Sequence, residues 1–110
     1  MMTTRINIAK QFYDAPVGRF PSDGDYNGQR FRDEFLVPAL QNSEHVLVDM
    51  DGTDGYGSSF LEEAFGGLVR VRGFTAADLR SKLSLKSDED LSFIEEVWEY
   101  IETAKPDNVT

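Results

Sequence analysis

The chain has 110 residues, a formal net charge of −9 and no cysteine. That length holds a single domain with one core but not two, and the missing cysteines exclude disulfides, thiolate metal sites and a Cys nucleophile and predict a reducing, cytoplasmic setting. So acidic a balance repels nucleic-acid backbones and anionic lipid, which argues against direct DNA or RNA binding and against membrane association. Hydrophobic residues make up 40% of the chain, with eight Phe and one Trp, which predicts a folded globule. No apolar run approaches the roughly 20 residues of a membrane span. The opening M-M-T-T-R-I-N-I carries no apolar leader block.

Arg5 to Ala9 alternates, with Ile6 and Ile8 on one face, and predicts a half-buried strand. A-P-V-G is a turn signal, and Val17 to Phe20 predicts a second short strand returning antiparallel to the first. After a polar loop, Phe31, Phe35 and Leu36 recur at helical spacing from a start near Asn27 or Gly28, leaving Arg30, Arg32, Asp33 and Glu34 for the outer face. Pro38 lacks an N–H and clashes with the carbonyl four residues back, so a kink or restart is expected there. His45 to Met50 is the most strand-like run. Its apolar Val46, Leu47 and Val48 predict a central strand, covered on both faces or on one face plus a neighbour.

A helix is predicted from about Ser58 to Val69, with Phe60, Leu61, Ala64, Phe65, Leu68 and Val69 on one broad stripe. Gly66 and Gly67 each weaken it by up to ~1 kcal/mol relative to Ala, which close approach of another group can offset. Thr75 with Asp78 reads as a capping box for a short helix, Ala76 to Lys82. Leu83 to Leu85 predicts a short strand, and Ser87 with Asp90 a second capping box for the last helix. From Asp88 to Glu102 there are seven acidic residues and no basic one, read as a solvated face rather than a docking surface. The expected fold is α/β, a mixed four-stranded sheet packed with about four helices, in one domain over 1–110 with a polar tail at 105–110.

The stretch V-D-M-D-G-T-D-G-Y-G-S-S, from Val48 to Ser59, joins the central strand to the helix and carries the chemistry-bearing residues. Three readings compete. D-x-D-G-T matches the nucleophile motif of haloacid-dehalogenase-like phosphatases, with Asp49 as nucleophile and Asp51 as acid/base. That family carries the motif on the first strand of a longer domain and needs a later lysine and acidic pair, so no enzyme, metal or cofactor is expected here. The glycine-rich loop also lacks the lysine of a phosphate-binding P-loop, so only weak anion or nucleotide binding at the helix N-terminus stays open.

The third reading is a resemblance to STAS domains, the fold of bacterial anti-sigma-factor antagonists. In that family an acidic residue ends the third strand, and a serine pair opens the next helix. The second serine is phosphorylated by a kinase of the GHKL ATPase type. Asp49 matches the strand-end acid and Ser58-Ser59 the serine pair; Gly57 and Phe60 stand where that family has Asp and Gly. The chain resembles still more closely the STAS-like family DUF4325. Its members share Gly18-Arg19-Phe20, a helix like Phe31 to Leu40 with Pro38, and nearly the whole of D-M-D-G-T-D-G-Y-G-S-S-F-L-E-E-A-F-G-G-L. The resemblance implies a bacterial regulatory protein paired with a GHKL-type ATPase or kinase, with Ser58 or Ser59 as a phosphorylation site. Partner or anion contacts are expected from Asp49, Asp51, Gly52, Asp54, Gly55, Tyr56, Gly57, Phe60 and Arg19. Asp51 and Asp54 also fit as loop caps, Ser58 as a helix N-cap, and Arg19 as a plain surface residue. A nucleic-acid-mimicking acidic decoy is a further alternative.

Overall fold

The computed structural model describes residues 2–107, so the last three residues of the expected polar tail lie outside the described residues. Strands β1 (Thr3–Asn7), β2 (His45–Asp49) and β3 (Leu83–Lys86) form a sheet in the order β1-β2-β3. Both pairings are parallel, with Asn7 opposite Asp49 and Asp49 opposite Lys86. Among the described residues the sheet therefore has three strands, all parallel, where the sequence predicts four in a mixed sheet. Val17–Phe20 is not a strand because its donors are spent locally. Val17 N–H binds the Tyr26 carbonyl, and the Arg19 and Phe20 N–H groups both bind the Asp23 carboxylate.

The first strand ends two residues earlier than its alternation predicts. Asn7 caps a single wide π-turn, Ile8–Phe12, by accepting from Lys10 N–H at 2.8 Å, and Tyr13 N–H closes the turn on the Ile8 carbonyl. Helix α1 spans 28–42, and its middle turn, Arg32–Leu36, is also π-type, with Val37 N–H bonded to the Arg32 carbonyl. The kink or restart expected at Pro38 is thus replaced by a wide turn just before it. An extra residue in the turn relieves the mismatch that proline's missing donor and bulky ring create. Helix α2 spans 58–70 and has the same device at Glu62–Gly66. Helix α3 (Ala76–Lys82) has the predicted capping box, Thr75 and Asp78 each accepting from the other's N–H.

Helix α4 (Ser92–Thr103) starts later than the Ser87–Asp90 signal implies. Ser87 Oγ does accept from Asp90 N–H at 3.1 Å, but the Asp88 and Glu89 N–H groups turn to another partner, described below.

Because side chains alternate across a strand, Ile6, Val46, Val48 and Leu83 face the helices and are buried. Arg5, Asn7, Leu47, Asp49, Ser84 and Lys86 share the other face, which no helix among the described residues covers. β2 is central in order but roofed on one side only. The core between sheet and helices is aromatic. The Phe31 ring lies 5.2 Å from Phe12, 6.0 Å from Phe60 and 6.3 Å from Phe65, and α2 packs against both α1 and α4.

Candidate functional site

The loop from Met50 to Gly57 leaves the carboxyl end of β2 and delivers the chain to the N-terminus of α2. Gly52 and Gly55 take φ of 98° and 127°, conformations that side chains with a Cβ rarely adopt, so the turn needs glycine at both places. Asp49 Oδ1 accepts from Asp51 N–H at 3.0 Å and tightens the start of the turn. Asp51 then reaches across to the segment after β3. Its carboxylate accepts from Asp88 N–H at 2.8 Å, Glu89 N–H at 3.0 Å and Ser87 Oγ at 3.1 Å. Those N–H bonds, with Ser87 and the Lys86 charge behind them, hold its pKa below the usual carboxylate range. Glu89 returns the tie by accepting from Gly52 N–H at 2.8 Å. This cross-link explains why the residues around Ser87 turn rather than begin α4.

Tyr56 donates its hydroxyl to the Met50 carbonyl at 2.7 Å, and its ring packs on Phe60 and edge-on to Phe93. Burial pushes its pKa up to about 12. Asp54 is exposed, and its N–H reaches the Asp14 carbonyl at 2.8 Å. Phe60 is fully buried in the aromatic core, so its expected place at a partner surface is corrected; it anchors the loop from below. Gly57, not Ser58, occupies the N-cap position of α2, and among the described residues no side chain caps this terminus. Ser58 and Ser59 are both exposed in the first turn.

Sequence reasoning missed the charged cluster behind that terminus. Arg32, expected on the solvent face of α1, is 3% exposed and donates to Glu63, also 3% exposed, at 2.5 Å. It also bonds the Glu63 carbonyl and the Asp33 carboxylate. Arg70 joins Glu62 and Glu63. The Arg19 guanidinium donates to Glu62 and lies 3.6 Å from Glu63, so it is tied to helix glutamates rather than left as a plain surface residue. Glu62 and Glu63 are together neutralised by three arginines, Arg19, Arg32 and Arg70. The signal was the Gly66-Gly67 pair. A Cβ on Gly67 would run into the Arg32 guanidinium, with Arg32 Cδ at 3.2 Å, so glycine is what lets α2 lie against that buried cation.

At the strand ends Lys86 stands 3.9 Å from Asp49 and 3.6 Å from Asp51. Two carboxylates and a lysine at the carboxyl edge of a parallel sheet are groups that can bind an anion or a polar ligand. Among the described residues no cluster of three or more His, Asp or Glu is arranged to hold a metal ion, and no helix is long and apolar enough to cross a membrane.

A small parallel sheet with helices on one face, a glycine loop at the end of its central strand and a serine pair opening the next helix define a STAS-like α/β domain. The family model for the STAS-like domain of unknown function (DUF4325) matches residues 27–92, and the chain belongs to that family. β1 lies outside the matched span and supplies one edge of the sheet. Comparison with curated proteins and with solved structures returns no match.

Proposed function

We propose that this STAS-like domain is a regulatory protein-binding module, resembling an anti-sigma-factor antagonist, whose docking face is the rim from Asp51 to Ser59 and the start of α2. The observation that carries this reading is the exposed, uncapped serine pair at the N-terminus of α2. Free N–H groups there favour a phosphate, and a hydroxyl in the first turn is open to a kinase. The partner class, a GHKL-type ATPase or kinase, follows from the likeness to STAS domains.

The arginine cluster supports a switch. Ser58 and Ser59 stand four and three residues before Glu62, on the same side of the helix. A phosphate on either competes with Glu62 for Arg19, whose hold on the glycine-rich segment before α1 would then change. No phosphatase activity is proposed, since Asp51 spends both carboxylate oxygens holding residues 87–89.

The test pairs the domain with a GHKL-type ATPase. Phosphate should enter the parent and not the Ser58→Ala, Ser59→Ala double variant, and Ser59→Asp should weaken the complex. If Ser59→Ala and Ser59→Asp both bind that partner as the parent does, the switch is lost. The same uncapped terminus favours a second reading, an anion or nucleotide sensor. Calorimetry against a nucleotide panel separates the two, because a pure protein-binding module gives no saturable heat. An acidic decoy would instead bind its partner with steep salt dependence and ignore loop substitutions.

A further inference from the structure

The uncovered face of the sheet holds a groove of about 380 Å³, which we infer is a binding site for a small anion that carries a neighbouring hydroxyl or ammonium group. Parallel sheets are ordinarily covered on both faces, and ligands of such sheets gather at the carboxyl ends of the strands. Here the bare face is concave at that end, between β1, the turn that follows it, and Lys86 of β3. Its floor is Leu47.

The groove is built of donors. Arg5 and Lys10 line it, and among the described residues neither has a carboxylate partner. Asn7 Oδ1 is occupied by Lys10 N–H, and Gln11 Oε1 by Asn7 N–H at 2.5 Å. With each amide oxygen already turned to a backbone N–H, the NH₂ groups of Asn7 and Gln11 are the donors they can offer a ligand. Lys86 also lines the groove, with its ammonium already donating to Asp88 at 3.1 Å and 3.6 Å from Asp51. Two cations without a carboxylate partner, Arg5 and Lys10, and two amide donors concentrated in one groove, on a chain of net charge −9, select an anion. The single carboxylate is Asp49. Its Oδ1 is held by Asp51 N–H, while Oδ2 lies toward Lys86 at 3.9 Å and can take one donor from the ligand. A phosphate or a carboxylate supplies the anion equally well; the adjacent donor makes the ligand specific. This site is separate from Ser58 and Ser59, and it stands or falls independently of the protein-docking reading.

The experiment is an amide NMR titration of the whole chain at low salt. The probes are inorganic phosphate, methyl phosphate, phosphoethanolamine, propionate and β-alanine, each up to about 10 mM, the range in which a site worth only a few kcal/mol saturates. Saturable shifts are expected at Asn7, Lys10, Gln11 and Asp49, with either the phosphate or the carboxylate series binding more tightly and thereby naming the anion. In the favoured series the ammonium-bearing probe should bind about tenfold more tightly, one charge-assisted hydrogen bond, and Asp49→Asn should erase that preference. The exposed double variant Arg5→Gln, Lys10→Gln should weaken binding about tenfold or more, while Ser59→Ala leaves it unchanged. No saturable shift with any probe, shifts confined to residues 57–60, or undiminished binding by the Arg5, Lys10 double variant would each overturn the inference. So would binding of a glutamate-rich peptide with none of the small anions bound, which would make the face a protein-docking surface.

Discussion

Replacing Glu63 with Gln should cost this domain about 3 kcal/mol, the lower part of the range for breaking a buried ion pair. The substitution keeps shape and removes charge. Arg32 then stays buried with its Asp33 bond at 2.9 Å and the Glu63 carbonyl at 3.1 Å, but without the carboxylate that faces its Nη1. Arg70 loses one of its two partners at the same time. Those surviving bonds keep the cost at the low end. A domain of this size has about 5–15 kcal/mol to lose, so the variant stays folded at room temperature. Its melting temperature should fall by about 12 °C or more, at roughly 4 °C per kcal/mol. Urea unfolding followed by Trp98 fluorescence and far-ultraviolet dichroism measures the change directly. The double variant Arg32→Met, Glu63→Leu should recover most of the loss, because well-packed apolar side chains replace a buried ion pair at little cost. If Glu63→Gln unfolds within about 1 kcal/mol of the parent, the size of a surface ion pair, the pair contributes as an exposed one would and the account of the cluster is wrong.

Gly67→Ala should destabilise by about 2 kcal/mol through overpacking against Arg32, although the same change in an open helix gains up to ~1 kcal/mol; a stabilised variant in denaturant titration would contradict the close approach. The low pKa of Asp51 gives stability that is present above the unfolded carboxyl value of about 3.9 and lost as pH falls through the lower folded value. Asp51→Asn should therefore be less stable than the parent at neutral pH and lose less on acidification below about pH 4, read from melting temperatures across pH; parallel curves would show that its hydrogen bonds carry no linkage.

The sequence determined the parts of this protein whose causes are local. The strand at His45, the helix opening at Ser58 and the capped helix Ala76 to Lys82 all follow from side-chain periodicity and a capping box, which act over a few residues. The motif from Asp49 to Leu68 was enough to point to the STAS-like family. Tertiary structure decided what depends on partners distant in the chain. Val17 to Phe20 has strand-like side chains, but Tyr26 and Asp23 take its donors. Arg32 has the helical phase of a surface residue, yet the π-turn beginning at it and the glycine at 67 bury it against Glu63, 31 residues away. Asp51 is bound by residues 87–89, which no spacing rule connects to it. The bare sheet face was hidden for the same reason. Val46, Leu47 and Val48 are all apolar, so the strand's own pattern does not say which face is covered; only the register with Arg5 and Lys86 on either side shows that Leu47 is the floor of a polar groove.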